Sequence, residues 1–223
     1  MTHEAIRTGD HDASATVAEV FMTCLARARH ETTPFDYWLL KGALRPLDVD
    51  AVLALPLAAP GNPVFSGRRE SNNAQRIFFS RENQEKFSVC RRIADGFQNK
   101  RVRTAIETAT ATDLTEAQLR IEYCQDGPGF WLEPHTDILV KKFTMLVYLL
   151  DTPELATAGT DIHEGPPDFR YVTTAPYGKN LGVIFIPSRN SWHGVGHVPI
   201  KALRKSLIIN YVARDWQAKE ELA

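Results

Sequence analysis

In the first half of the chain, apolar residues recur mostly at helical spacing. Between residues 17 and 28 they return every three or four positions, which places them on one face of a helix with Ser14 as its N-cap candidate. Further helices are predicted at 46–55, 82–97 and 102–108. Short strands are predicted at 37–40 and 76–79. We interpret the helices as packing elements.

From residue 119 onward, short β-rich runs separated by Gly, Pro and Asp turns replace the helical pattern. They predict strands at 119–124, 130–135, 142–150, 169–173, 181–186, 192–198 and 206–212. Helices followed by short strands are typical of a mainly β (α+β) fold, in which N-terminal helices support a sandwich or jelly roll. The spacing of the strands alone leaves other sandwiches open.

This pattern and the length of the chain predict a single domain with short segments at each end. The predicted divisions are a flexible N-terminus at 1–13, one domain at 14–216 and a C-terminal tail at 217–223. Within the domain, 14–118 supplies helical support and the first strands, and 119–212 forms the jelly-roll core.

Composition narrows the classes of partner and compartment. The formal net charge is −1, from 26 basic and 27 acidic residues, so neither nucleic acid nor a membrane is predicted as a partner. The three cysteines include no CxxC pair, which indicates neither a disulfide framework nor a cysteine-based zinc site. No secretion signal or membrane span is recognised, and a cytoplasmic location is expected. The oligomeric state is left open.

The candidate chemistry begins at the sequence Pro-His-Thr-Asp. His135 and Asp137 are two positions apart, so on an extended strand their side chains point to the same face. A distant histidine on a neighbouring strand completes a site of two histidines and one carboxylate, the facial triad typical of non-haem Fe(II) oxygenases. His193 is the predicted third ligand. His197 shares its parity and is interpreted as a surface or supporting residue, and His163 as a loop residue.

An arginine follows His193 by 11 residues, on the last predicted strand. Arg204, Ser206, Ile208 and Asn210 share one face of that strand. A buried guanidinium is costly unless it meets an anion, and it binds a carboxylate through two parallel hydrogen bonds. This end of the sheet therefore indicates a dicarboxylate that reaches from the metal to Arg204, with the Ser206 hydroxyl as a further donor.

Over residues 119–212 the sequence resembles the Fe(II)- and 2-oxoglutarate-dependent oxygenases, in particular their prolyl-hydroxylase-like branch. The resemblance lies in His135-x-Asp137, distal His193 and Arg204-x-Ser206, in family order. It implies a double-stranded β-helix (jelly roll) with catalytic metal ligands His135, Asp137 and His193. It also implies that Arg204 and Ser206 bind 2-oxoglutarate, with help from Tyr123 and Tyr148.

The resemblance also implies an activity. Its members use Fe(II), 2-oxoglutarate and O₂, with ascorbate as a candidate supporting reductant, and release succinate and CO₂. Related halogenases carry Gly or Ala at the position of Asp137, so the carboxylate favours hydroxylation of an unactivated C–H bond, with desaturation or demethylation left open. The expected substrate is a small molecule, such as an amino acid or a biosynthetic metabolite. A peptidyl, prolyl-type substrate is the alternative.

The substrate side of the site is less defined in sequence. Lys142 shares strand parity with Tyr148, and Arg76 and Trp131 are further substrate candidates; each also fits an ordinary packing or surface role. Trp192 is weighed in the same way. Gly, Pro and acidic residues at 156–167 indicate a mobile loop that forms part of a lid.

Two readings outside the oxygenases compete with this one. A non-enzymatic jelly-roll module that binds a metal or a sugar has no need for a buried arginine facing the triad. A cupin-type metal enzyme usually has His-x-His and a glutamate in its first motif, whereas this chain has Asp137 and no matching Glu.

Overall fold

The computed structural model of the protein describes residues 15–61, 65–68 and 76–223. The N-terminus predicted to be flexible, and the N-cap candidate Ser14, lie outside these residues. Helix α1 (Val17–Ala26) is instead capped by Thr16, whose hydroxyl accepts a hydrogen bond from the Glu19 amide while the Glu19 carboxylate accepts one from the Thr16 amide.

Four more helices precede the strand-rich half of the chain in its described residues: α2 (Pro46–Leu53), α3 (Arg81–Lys86), α4 (Ser88–Gln98) and α5 (Lys100–Thr110). The single helix predicted at 82–97 is wrong, because the backbone of Phe87 is extended (φ −126°, ψ 110°) and divides it into α3 and α4. In the described parts of the chain, no helix has the length and apolar character that a bilayer span requires.

Across residues 15–61, 65–68 and 76–223, eleven strands form two antiparallel sheets. In chain order they are β1 (Arg29–Glu31), β2 (Tyr37–Lys41), β3 (Arg76–Phe78), β4 (Gln118–Asp126), β5 (Leu132–His135), β6 (Lys141–Tyr148), β7 (Asp161–His163), β8 (Tyr171–Thr174), β9 (Leu181–Phe185), β10 (His193–Val195) and β11 (Arg204–Val212). The larger sheet has the order β1-β2-β9-β6-β11-β4-β3, and the smaller has the order β5-β10-β7-β8. This two-sheet arrangement with supporting helices is the predicted jelly-roll fold.

The alternation of residues along β11 divides the protein into two hydrophobic layers. Leu207, Ile209 and Tyr211 face the helices, where the Tyr211 hydroxyl donates a hydrogen bond to the carbonyl of Phe97 in α4. Ile208 belongs to the other layer, between the two sheets. The predicted parity of β11 is therefore present, and its second face lines the interior of the jelly roll.

Strand β7 corrects the prediction of a mobile lid at 156–167. Asp161, Ile162 and His163 are buried, and β7 pairs with β10 on one side and β8 on the other. His163 is therefore a strand residue rather than the loop residue predicted, and its Nδ1 lies 3.0 Å from the carbonyl oxygen of Phe169. Pairing with β10 and β8 orders these three residues, although the residues around them have the Gly- and Pro-rich composition of a loop.

Candidate metal centre and cosubstrate cavity

Two neighbouring strands of the smaller sheet bring the three predicted metal ligands together. His135 ends β5 and lies directly opposite His193, which begins β10. Asp137 follows two residues after His135, in the turn beyond the strand rather than on it. One ligand atom from each residue lies within 4.8 Å of the other two. Two imidazoles and a carboxylate at this spacing match the facial triad of non-haem iron sites.

Backbone carbonyls orient both imidazoles. The Nδ1 of His135 lies 2.8 Å from the carbonyl oxygen of Glu133, and the Nδ1 of His193 lies 2.9 Å from that of Ser191. Because a carbonyl only accepts hydrogen bonds, each Nδ1 carries the proton and each Nε2 keeps its lone pair. Such second contacts fix the tautomer of metal-binding histidines in general.

The electrostatics of the site favour the metal-binding forms of His193 and Asp137. Burial, followed by the neighbouring His135, lowers the pKa of His193 to about 3, so its imidazole is neutral at physiological pH. Burial raises the pKa of Asp137, but Lys141, His193 and hydrogen bonds to Lys141 and Thr144 outweigh burial and hold that pKa well below its usual range. Asp137 is therefore a carboxylate.

Both oxygens of Asp137 have protein partners. Lys141 Nζ lies 2.6 Å from Oδ1, and the Thr144 hydroxyl donates to Oδ2 over 2.8 Å. Thr144 Oγ1 also lies 3.0 Å from Asn210 Oδ1, which links the carboxylate to β11. These contacts fix the rotamer of Asp137 from the larger sheet, and a carboxylate oxygen retains a further lone pair for a metal.

Lys141 was missed by the sequence analysis, which proposed Lys142 instead. The register of β6 against β11 shifts between Tyr211 and Val212, so Lys141 pairs with Val212 where strict alternation would place Lys142. Lys141 therefore points to the metal centre, and Lys142 is exposed. A lysine four residues after the carboxylate of His-x-Asp was the available signal.

Arg204 lies in a buried recess beside the triad, as predicted. Its Nη1 donates to Asp126 over 2.6 Å and lies 3.5 Å from Ser206 Oγ, and its Nε donates to the carbonyl of Ala158 over 2.8 Å. Its Nη2 is buried and has no hydrogen-bond partner among the described residues. One pair of donor hydrogens therefore remains for a ligand in the recess.

The two tyrosines predicted to hold 2-oxoglutarate lie on opposite faces of the larger sheet. Tyr148 is fully buried on the inner face, with its ring centroid 5.5 Å from Arg204 Cζ. Its hydroxyl donates to Thr160 Oγ1 and accepts from the Thr160 amide, both over 2.9 Å. Tyr123 packs in the helix-side layer and accepts a hydrogen bond from Gln125. Its odd parity on β4 directs it away from the recess, so its assignment to the cosubstrate is wrong.

An open cavity of about 670 Å³ leads to the triad from outside. Its wall includes Arg76, one of the three predicted substrate residues. It also includes a charged network that the sequence analysis did not identify: Arg76 is ion-paired with Glu122, and Arg120 lies 2.8 Å from Glu122 and 2.5 Å from Glu221. Lining residues from the described chain are Gly67, Arg68, Arg76, Arg120, Glu122, Leu132, Glu133, His135, Thr136, Asp137, Ile138, Lys141, Trp216, Ala218 and Glu221.

The remaining predicted site residues do not line this cavity. Trp131 is 42% exposed, and its ring covers Gly67 so closely that a Cβ there would lie 2.2 Å from a ring carbon. Trp192 packs edge-on against Phe169 at 4.8 Å. The ring of His197 stacks on Tyr171 at 3.7 Å, outside the metal-ligand group. These three side chains have packing or surface roles.

Comparisons with known proteins bear on the fold. No family model matches the sequence, and no curated protein matches it significantly. A Pseudomonas putida prolyl-4-hydroxylase is similar in structure with a TM-score of 0.57 at 17% identity, over 89% of this chain and 100% of that chain. A Trichoplax adhaerens prolyl hydroxylase, solved with a hypoxia inducible factor peptide fragment, is similar with a TM-score of 0.54 at 14% identity, over 88% of this chain and 89% of that chain.

A third similar structure comes from a biosynthetic enzyme. The non-haem alpha-ketoglutarate-dependent epimerase SnoN from nogalamycin biosynthesis gives a TM-score of 0.54 at 15% identity, over 86% of this chain and 81% of that chain. At these identities the similarity shows the fold alone. It confirms the double-stranded β-helix that the resemblance in sequence implied.

Proposed function

We propose that this protein is an Fe(II)- and 2-oxoglutarate-dependent dioxygenase that hydroxylates an unactivated C–H bond of a small molecule. One observation carries the proposal: His135, Asp137, His193 and Arg204 line one recess, and the Nη2 of Arg204 has no hydrogen-bond partner among the described residues. A metal-binding module or a cupin explains the triad, but neither gives a reason for a buried guanidinium with free donors in the same recess.

The residues present fit both implied groups. The Nε2 atoms of the two histidines, whose Nδ1 atoms are held by backbone carbonyls, and the ionised Asp137 form the nitrogen and oxygen donor set suited to Fe(II). The Nη2 of Arg204 would hold the distal carboxylate of 2-oxoglutarate. An orphaned donor inside a protein is costly, and a carboxylate removes that cost.

When bound, these groups would support a reaction in which a substrate C–H bond, 2-oxoglutarate and O₂ give a C–OH group, succinate and CO₂. The chain holds and orients them. The contacts of Asp137 with Lys141 and Thr144 fix one face of the metal centre. Apolar side chains in the recess limit the access of water, namely Leu132, Leu146, Phe185, Val195 and Ile208.

The outer cavity supports a small-molecule substrate. Its volume of about 670 Å³ falls within the roughly 300–1,000 Å³ of small-molecule sites. Charged side chains from β3, β4 and the C-terminal segment line it, which suits a polar metabolite or an amino acid. The prolyl hydroxylase solved with a peptide fragment keeps a peptidyl substrate as the alternative, and substrate screening decides between them.

Anaerobic titration of the Fe(II)-loaded protein with 2-oxoglutarate tests the proposal. We expect a weak visible charge-transfer band that saturates at one equivalent, followed by succinate release when O₂ is admitted. Iron binding without the band would favour a metal-binding module. Failure of the protein to bind iron would reject the assignment of the triad.

A further inference from the structure

Arg76 lies in the wall of the outer cavity on β3, at the edge of the larger sheet. Its side chain is only 10% exposed, although it lines an open cavity. The same cavity is lined by His135 and Asp137, so whatever Arg76 binds there lies beside the metal centre.

The guanidinium of Arg76 uses little of its hydrogen-bonding capacity. In the described structure it donates one hydrogen bond, from Nη1 to Glu122. Within the described residues its Nε and Nη2 donate no hydrogen bond, and neither is among the fully buried polar atoms that lack a partner, so both are accessible to a ligand of Arg76, which lines the cavity. Glu122 also accepts from Arg120 and therefore does not depend on Arg76 for a cationic partner.

The unused edge of Arg76 has a defined chemistry. Nε–H and one Nη2–H are parallel donors, and this fork matches the two oxygens of a carboxylate. Within the network, Arg76 and Arg120 are balanced by Glu122 and Glu221. This neutral wall favours a single negative charge over a phosphate monoester, whose second charge would require a further cation.

From this arrangement we infer that the substrate carries a carboxylate and that Arg76 binds it through its Nε–Nη2 edge. The inference rests on the proposed function, because it places the substrate in the cavity beside the metal centre. It identifies Arg76 as a specificity-determining residue and the substrate class as carboxylic acids, amino acids included.

Calorimetry with paired ligands tests this inference. The anaerobic Fe(II)- and 2-oxoglutarate-loaded protein is titrated with the twenty L-amino acids, a series of simple aliphatic and aromatic carboxylic acids, and the amide of each. We expect at least one acid to bind at least tenfold more tightly than its amide, because the amide cannot accept two charge-assisted hydrogen bonds. Equal affinity of every acid and its amide, or binding by none of the acids, would overturn the inference. Tighter binding of inorganic phosphate than of any acid would do the same.

Three variants locate the effect. Arg76→Gln and Arg76→Lys should each weaken binding of the selected acid about tenfold or more. Lysine keeps the positive charge but lacks the two parallel donors of arginine. Arg29→Gln, on β1 at the opposite edge of the larger sheet and outside the lining of the cavity, should leave the affinity unchanged. An unchanged affinity in both Arg76 variants would reject the assignment; their melting temperatures establish that they are folded.

The 2-oxoglutarate charge-transfer band separates the two proposals. Its absence from the wild-type protein would count against the proposed function. A normal band in wild type and in both Arg76 variants, without preference for acids over amides, would count against the inference alone.

Discussion

Asp126 lies 2.6 Å from the Nη1 of Arg204, its direct partner in the register of β4 against β11. The guanidinium is therefore paired with a carboxylate inside the protein, and of its nitrogens only Nη2 lacks a partner in the described part of the chain. A buried arginine in this position needs an anion, and the chain itself provides the first one. A ligand carboxylate competes with Asp126 for the charge of Arg204 while it completes the hydrogen bonds of Nη2.

Replacing Arg204 should weaken the binding of 2-oxoglutarate but not that of Fe(II). A hydrogen bond between charged groups contributes about 1.5–3 kcal/mol, so Arg204→Lys and Arg204→Ala should raise the dissociation constant roughly 10- to 100-fold. Affinity for Fe(II) should change little. The measurement is the anaerobic charge-transfer titration, with Arg170→Ala as a control because Arg170 pairs with Glu164 at the surface. Equal affinity for 2-oxoglutarate in both Arg204 variants would contradict the anion site.

Asp126→Asn should make the protein depend on 2-oxoglutarate for stability. The amide still accepts a hydrogen bond but leaves the buried charge of Arg204 without a counter-ion, so we expect a loss of about 1–3 kcal/mol in the free energy of unfolding. Added 2-oxoglutarate supplies the missing anion and should raise the melting temperature of the variant more than that of wild type. Identical ligand-induced shifts in the two proteins would show that Asp126 does not share Arg204 with the ligand.

The metal centre can be tested by comparing variants of two predicted ligands with a variant of His197, a histidine outside the metal-ligand group. His135→Ala and Asp137→Ala should each abolish stoichiometric Fe(II) binding, because each removes one of three ligands. His197→Ala should bind iron like wild type, since His197 stacks on Tyr171 outside the group. Equilibrium dialysis with iron analysis measures all three. Stoichiometric, tight iron in either ligand variant would reject the triad.

The metal ligands lie on β5, on β10 and just after β5, and the His-x-Asp motif with its resemblance to a family found them. Strand alternation in the sequence was sufficient to place Arg204 and Ser206 on one face, because β11, like β4, is long and alternates regularly. The same alternation places Tyr123 on the helix side, but a motif carried over from a family does not report on which face a side chain lies. Strand parity, applied to Tyr123 as it was to Ser206, would have excluded it from the recess.

Other features depend on three-dimensional contacts that leave little local signal. The register shift that turns Lys141 inward is a property of the pairing between β6 and β11. The break at Phe87 interrupts an apolar stripe that continues through it. The pairing of Arg204 with Asp126 joins residues 78 positions apart and follows from the antiparallel register. Sequence periodicity predicts which residues share a face, whereas partners across strands require the register.

The two tyrosines provide a matched test of the cosubstrate recess, since both are fully buried on β-strands of one sheet but lie on opposite faces. Tyr148→Phe removes the hydroxyl that both donates to and accepts from Thr160, whose amide is then left without that acceptor. We expect a loss of about 1–3 kcal/mol in the free energy of unfolding. Because Tyr148 packs beside Arg204, the dissociation constant of the Tyr148→Phe variant for 2-oxoglutarate should rise severalfold.

Tyr123→Phe should leave the affinity for 2-oxoglutarate at the wild-type value, because that hydroxyl contacts Gln125 on the helix side of the sheet. Urea unfolding gives the stabilities of both variants, and the anaerobic titration gives their affinities. A weakened affinity in Tyr123→Phe with a normal one in Tyr148→Phe would mean that the recess opens on the other face of β4. Because Tyr123 on β4 and Tyr148 on β6 lie on opposite faces of the same sheet, this pair of variants decides which face holds the cosubstrate.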